Sequence, residues 1–135
     1  ATDAEREYHN LFVGLGRGEL LPYASYYLTG FLNEKPLANL RSDLMARGIR
    51  ARADVKEPED HMGTLCETMA GIITGEFECD SDLPSQKAFF DAHMAKWARL
   101  FFTDLEQAQS AIFYAPVGSL GKAFMAVEAD AFAIQ

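Results

Sequence analysis

Two adjacent polar residues, Asp60 and His61, are the clearest candidates for binding chemistry in the sequence. They close the stretch Glu57-Pro58-Glu59-Asp60-His61. A carboxylate next to an imidazole could face a groove and bind a ligand there. A second interpretation makes the stretch a helix start, with Glu57 at the cap, Pro58 at the first position and acids favoured by the helix dipole. The residues alone leave both interpretations open.

A loop rich in aromatic residues is the second candidate. Residues 14–30 are predicted to be irregular, because glycines alternate at 14, 16 and 18 and Pro22 follows. Tyr23, Tyr26 and Tyr27 lie close behind Pro22. Tyrosine offers apolar area with a polar tip, so this composition suits either packing against the domain or a peptide-binding surface.

Catalytic and metal-binding patterns are missing from the sequence. It contains no G-x-S-x-G, H-E-x-x-H or phosphate-loop motif. Cys66 and Cys79 are too few for a structural zinc site, and the acidic turn at residues 75–84 lacks the ligand spacing of a calcium loop. We therefore expect no catalytic residue, no metal and no cofactor.

The charge distribution bears on the class of partner. Residues 1–56 carry 8 Lys/Arg against 7 Asp/Glu, and residues 57–135 carry 4 against 13, which gives the net charge of −8. Nucleic acid requires a basic surface, so it is not expected as a partner. A cationic partner would suit the acidic half. No apolar run is long enough to span a membrane and no export signal is visible, so a cytoplasmic protein with reduced cysteines is expected.

The periodicity predicts an all-α fold, since no segment alternates like a strand. We expect a single-domain helical bundle over residues 1–135. The predicted helical segments are 3–13, 36–47, 58–74, 85–109 and 110–135, the last of them broken near Pro116, Gly118 and Gly121.

Each predicted helix has an apolar face that is expected to be buried. His93 and Trp97 lie on the aromatic face of the segment 85–109. The other residues expected on these faces are Tyr8, Leu11, Phe12, Leu15, Leu37, Leu40, Leu44, Met45, Met62, Leu65, Cys66, Met69, Ile72, Ile73, Phe89, Phe90, Met94, Leu100, Phe101, Leu105, Phe124, Val127, Ala131 and Phe132.

Four motifs in fixed order resemble those of the TorD/DmsD/NarJ-like family of redox-enzyme maturation chaperones. E-P-E-D-H at residues 57–61 is the most specific of them, and H-x-x-x-W followed by F-F-x-D-L within residues 93–105 is the second. E-Y-x-x-L-F-V-G-x-G at residues 7–16 and L-P-Y-A-S-Y-Y-L at residues 21–28 extend the resemblance over nearly the whole chain.

The resemblance implies a cytoplasmic, non-catalytic helical chaperone for a molybdenum-cofactor enzyme of anaerobic respiration. Such a protein binds the twin-arginine signal peptide of the apo-enzyme and holds the enzyme back until the cofactor is inserted. By motif matching, the peptide-binding residues would be Pro22, Tyr23, Tyr27, Asp60 and His61. Glu57 and Pro58 would set the geometry of the turn, and His93 and Trp97 would be structural.

Two departures from the family pattern accompany the match. Lys96 stands where relatives often have proline, and Tyr23 stands where some have tryptophan. Helices that normally precede the first motif are expected to be missing, which would expose apolar surface and favour a homodimer, including a domain-swapped one. The alternatives are a nucleotide-binding helical protein and a non-catalytic helical dimerisation module.

Overall fold

The computed structural model describes residues 2–50 and 54–134, and every regular element in these ranges is helical. The predicted all-α fold is confirmed. The helices are α1 (Asp3–Tyr8), continued by a π-helical turn (His9–Val13), α2 (Ala24–Thr29), α3 (Lys35–Ala46), α4 (Met62–Thr74), α5 (Leu83–His93), α6 (Ala98–Gln107) and α7 (Tyr114–Ala133).

These helices form two compact units. One contains residues 2–22 and 97–134, and the other contains the described part of residues 23–96. The predictions of one domain over residues 1–135, of a homodimer and of domain swapping remain predictions.

In the first unit, the predicted helix over residues 3–13 is confirmed as α1 and the π-helical turn. Thr2 and Glu5 form a capping box at its start, with the Glu5 N–H donating to Thr2 Oγ1 at 3.1 Å. Leu11 is fully buried, as expected. Leu15 is fully exposed, so its expected burial was wrong. The helix ends at Gly14, whose φ of 61° turns the chain away before Leu15.

A carboxylate from α1 holds the start of α7. Glu7 accepts hydrogen bonds from the N–H groups of Ile112, Phe113 and Tyr114 at 2.6, 2.9 and 2.8 Å. Burial raises the pKa of Glu7, but the three N–H bonds outweigh it and the net pKa is lowered. The chain therefore caps α7 with a residue more than a hundred positions upstream.

The predicted break near Pro116, Gly118 and Gly121 was wrong, because α7 runs without interruption from Tyr114 to Ala133. Pro116 lies in the first turn, where its missing N–H has no helical partner to lose. A Cβ at Gly118 would lie 2.4 Å from the Glu106 backbone nitrogen, and one at Gly121 would lie 2.3 Å from the Phe102 ring. Both glycines are thus needed for close packing of α7 on α6.

Helix α7 has two apolar faces. Gly118, Met125 and Phe132 are buried, so the expectation for Phe132 is confirmed. The second face is exposed, and its residues recur at helical spacing. We call it the exposed α7 face; it is formed by Val117, Leu120, Phe124 and Val127. The expected burial of Phe124, Val127 and Ala131 was wrong, because all three are exposed.

In the second unit, the predicted helix 36–47 is confirmed as α3. Its Leu37, Leu40 and Leu44 are buried, and Gly48 follows its end with a φ of 72°. Met45 is 80% exposed, so its expected burial was wrong. In α4 the stripe formed by Met62, Leu65, Met69 and Ile72 is buried as expected, whereas Cys66 and Ile73 are exposed.

The predicted single helix over residues 85–109 is two helices, α5 and α6, which belong to different units. The cap of α5 is Asp82, since Asp82 Oδ1 accepts from the Ser85 N–H at 2.9 Å. The chain leaves helical geometry at Met94, where φ is −126°, and resumes it after Trp97, where φ is −136°. The expected burial is confirmed for Phe89, Phe90, His93, Met94, Trp97, Phe101 and Leu105, but Leu100 is exposed.

Candidate functional site

The stretch from Glu57 to Asp60 is a turn that precedes α4, so the predicted helix start at Glu57 and Pro58 was wrong by four residues. The His61 N–H donates to the Pro58 carbonyl at 3.1 Å, which closes the turn. His61 is itself the cap of α4, because its Nδ1 accepts from the Gly63 N–H at 3.0 Å. Glu57 and Pro58 therefore lie in the turn and do not begin the helix.

The structure brings the L-P-Y-A-S and E-P-E-D-H motifs together. Tyr23 and His61 form an isolated antiparallel bridge, and their rings meet edge to face with centroids 5.2 Å apart. The Ala24 N–H donates to the Asp60 carbonyl at 3.1 Å, and the Tyr23 hydroxyl donates to the Glu57 carboxylate. Three of the residues singled out in the sequence, Tyr23, Asp60 and His61, thus share one site.

Asp60 caps α2, which lies within residues 14–30, so the prediction that this whole segment is irregular was wrong. Its Oδ2 accepts from the Ser25 N–H at 2.8 Å, and the side chain is fully buried. A helix of six residues with its capping carboxylate 35 positions downstream leaves no local sequence signal. Ser25 is the site residue that was missed, although it belongs to the L-P-Y-A-S motif.

The other oxygen of the Asp60 carboxylate lacks a hydrogen-bond partner among the described residues. The same holds for Ser25 Oγ, and both atoms are buried. Asp60 lines a cavity of about 180 Å³, here called the Asp60 cavity, together with Leu28, Leu40, His93 and Lys96. A buried carboxylate oxygen without a partner is costly, so this cavity is suited to a group that donates hydrogen bonds.

His93 lies on one wall of the Asp60 cavity and also ties α5 to α3. Its Nε2 is 2.6 Å from Asp43 Oδ2, and the Arg47 Nε donates to Asp43 Oδ1 at 2.8 Å. Burial raises the pKa of Asp43, but the bonds from Arg47 and His93 outweigh it and lower the net value. The structural role expected for His93 stays a prediction.

The environment of His61 favours the neutral imidazole. Burial lowers its pKa, while the charges of Glu57 and Asp60 raise it in part. Because Nδ1 accepts the Gly63 N–H, the neutral ring carries its proton on Nε2. His61 can therefore donate one hydrogen bond through Nε2.

The remaining predicted residues lie as follows. Tyr27 is half-buried one turn after Tyr23, and its N–H donates to the Tyr23 carbonyl at 3.1 Å. Pro22 is buried but is grouped with the first unit. Trp97 is 1% exposed and its ring centroid lies 6.0 Å from that of Phe101; its expected structural role stays a prediction.

Within residues 2–50 and 54–134 no group of three His, Cys, Asp or Glu side chains could hold a metal ion. No helix in the described chain is long and apolar enough to cross a membrane.

Comparison with known proteins identifies a family. A family profile described as the nitrate reductase delta subunit matches residues 1–103. The chain is 29% identical to the chaperone protein TorD of Vibrio cholerae serotype O1 (strain ATCC 39315) over 126 residues, which cover 88% of this chain and 57% of the relative. It is 29% identical to the TorD protein of Vibrio atlanticus over 87% of this chain and 59% of the relative. It is 27% identical to the TorD protein of Aliivibrio fischeri, over 90% of this chain and 60% of the relative.

The chain spans 57–60% of the length of these curated relatives. No solved structure matches it. The family match covers most of the chain and includes the L-P-Y-A-S and E-P-E-D-H motifs that meet at Asp60. The chain therefore belongs to the nitrate reductase delta subunit family, in which the TorD-like maturation chaperones are grouped.

Proposed function

We propose that the protein is a cytoplasmic chaperone that binds the twin-arginine signal peptide of an exported molybdenum-cofactor oxidoreductase. It would hold the apo-enzyme until its cofactor has been inserted and so delay export. Family membership and the naming of the relatives as chaperones support this proposal. No catalytic step and no bound cofactor form part of it.

The unpartnered oxygen of Asp60 is the observation that carries the proposal. An arginine guanidinium presents several N–H donors and remains charged at every physiological pH. One arginine of the peptide entering the Asp60 cavity would supply the donors that Oδ1 lacks. A charge-assisted bond of this kind is stronger than one between neutral groups.

The aromatic side of the site would bind the rest of the motif. Tyr23 and His61 meet at their ring edges, and the His61 Nε2–H can donate to a peptide carbonyl. The half-buried ring of Tyr27 adds apolar area on α2. Pro22 would act by fixing the loop that precedes Tyr23, because proline restricts its own φ and the residue before it.

Calorimetric titration with a synthetic twin-arginine signal peptide tests the proposal. We expect saturable binding that weakens with salt, because the contact is ionic. A peptide in which both arginines are replaced by glutamine is the matched control and should not bind. In the protein, Asp60→Asn preserves the shape and the cap acceptor but removes the charge, and it should weaken binding about tenfold or more.

Two results would contradict the proposal. Equal binding of the arginine and glutamine peptides would show that the affinity does not depend on the arginine pair. Absence of binding to the wild-type chain would refute signal-peptide recognition by these residues. A rise in thermal stability with nucleotide, in the same preparation, would favour the nucleotide-binding alternative instead.

A further inference from the structure

A groove separate from the Asp60 cavity lies in the second unit, with an apolar floor and an acidic rim. Its volume is about 310 Å³. We call it the glutamate groove: its floor is formed by Leu44, Ile49, Val55 and Phe77, and its rim carries Glu57, Glu59, Glu67 and Glu76. Of the residues that form the floor and the rim, only Glu57 was a predicted site residue.

The floor presents apolar surface that ranges from buried to exposed. Leu44 and Ile49 are buried, Phe77 is half-buried and Val55 is 44% exposed. Phe77 lies directly on Gly71 of α4, since a Cβ at Gly71 would be 2.3 Å from its ring. Phe77 is therefore packed closely against α4, and the half-buried remainder of its ring offers apolar surface to a ligand side chain.

The rim carries negative charge that the described residues only partly compensate. Arg41 binds Glu59 through Nε and Nη2, with the shortest bonds at 3.1 Å, and Glu57 accepts the Tyr23 hydroxyl. Glu67 and Glu76 are exposed and form no ion pair with any residue in the described ranges. Among the described residues that line the groove, Arg50 is the single cation.

The combination selects the chemistry of the occupant. An apolar floor favours aliphatic or aromatic side chains, and a rim of four carboxylates with one arginine favours lysine or arginine beside them. Residues 57–135 contain 13 acidic and 4 basic residues, and this negative net charge would attract such a segment at long range. Signal peptides have this composition, with a basic beginning followed by an apolar run.

We propose that the glutamate groove binds a second part of the signal peptide, in which basic residues outside the arginine pair adjoin apolar ones. This assignment rests on the proposed function. Glu57 connects the two places, because it lines the groove and also accepts the hydroxyl of Tyr23. The Asp60 cavity then binds the arginine pair, and the glutamate groove binds the flanking segment.

The test uses two peptides and three proteins. One peptide is a complete signal with its basic and apolar flanks, and the other is trimmed to the arginine pair and its immediate neighbours. The proteins are the wild-type chain, the groove variant Glu67→Gln/Glu76→Gln, and the control Glu34→Gln/Glu128→Gln, which makes the same charge change outside the groove. We expect the groove variant to bind the complete peptide about tenfold more weakly than the control does, and the trimmed peptide equally well.

A charge exchange locates the contact more directly. The variant Glu67→Lys/Glu76→Lys should lose affinity for the complete peptide and regain it for a peptide whose flanking basic residues are replaced by glutamate. Both glutamates are exposed, so these variants are expected to fold, which their circular dichroism would verify.

The outcomes separate the two proposals. If the wild-type chain binds the complete peptide and the groove variant matches the control, the groove assignment is overturned and the proposed function stands. The same holds if the trimmed peptide is weakened as much as the complete one. If the wild-type chain binds neither peptide, both proposals fail together.

Discussion

Replacement of Asp60 is the perturbation that best separates the structural and binding roles of the site. Asp60→Ala removes the acceptor for the Ser25 N–H, which lies 2.8 Å from Oδ2 in a buried setting. Asp60→Asn retains an oxygen acceptor at the same place and removes the charge. The two variants should therefore differ in stability but share a defect in peptide binding.

The magnitude follows from the contacts of one carboxylate. Loss of a helix cap costs about 0.5–2 kcal/mol, and a buried N–H left without a partner costs about 1–3 kcal/mol. These two ranges describe overlapping losses, so we expect Asp60→Ala to lower the free energy of unfolding by about 2 kcal/mol. For a chain of 135 residues this corresponds to a drop in Tm of about 6–8 °C. Asp60→Asn should stay within about 1 kcal/mol of the wild type, because the cap acceptor remains.

Urea unfolding followed by circular dichroism measures the stability difference, and calorimetric titration measures peptide affinity. Asp80→Ala, which removes an exposed carboxylate, is the control and should change stability by less than about 0.5 kcal/mol. A stability of Asp60→Ala equal to that of the wild type would refute the capping role. If Asp60→Asn were as unstable as Asp60→Ala, the charge rather than the acceptor geometry would be holding α2.

Three further predictions concern other parts of the chain. Gly118→Ala should lower the free energy of unfolding by about 1–3 kcal/mol despite its better helix propensity, because the added Cβ would lie 2.4 Å from the Glu106 backbone; equal or higher stability in urea would contradict the close packing. Met125→Ala should cost about 2–5 kcal/mol, whereas Phe124→Ser on the exposed α7 face should cost less than about 0.5 kcal/mol; similar losses in the two variants would contradict the two-face description of α7. The pKa of His61 is lowered in the folded state by burial, so the unfolded chain takes up the proton first as the pH falls; its contribution to stability is complete above about pH 6.5 and is lost below it. His61→Asn retains a cap acceptor without titrating, so the wild type should lose more stability than this variant between about pH 7.5 and 5.5 in urea unfolding, and equal losses would exclude His61 as the source.

Helix α3 shows what local sequence signals can predict. Pro36 in its first turn and Gly48 beyond its end define its limits, and its leucines recur at helical spacing. The acidic turn over residues 75–84, which leads into α5, was predicted from its own glycine and proline. In these segments the determinants of the structure lie within the element or next to it.

The wrong predictions have long-range causes. Helix α2 depends on Asp60, and the start of α4 was misplaced because Pro58 and its neighbours close a turn against the loop of Tyr23. Gly118 was interpreted as a break, whereas its missing side chain allows α6 to approach. Contacts of this kind cannot be predicted from periodicity or propensity.

The candidate site was predicted in part, and through motif resemblance rather than through physics. The motifs identified Tyr23, Asp60 and His61, which the structure places together. They gave no indication that Asp60 is fully buried or that Ser25 is its partner. The glutamate groove was missed because its walls come from α3, α4 and two connecting segments.

The capping of α2 by Asp60 also has a consequence for hydrogen exchange. The amide hydrogens of Ala24 and Ser25 are bonded to the carbonyl and the carboxylate of Asp60, so they can exchange with solvent only when α2 and the turn from 57 to 61 separate. The two segments therefore form one opening unit although they are 35 residues apart in sequence. Any ligand that stabilises the turn should slow deuterium uptake at these two amides, which makes them an internal reporter of occupancy that needs no label on the ligand.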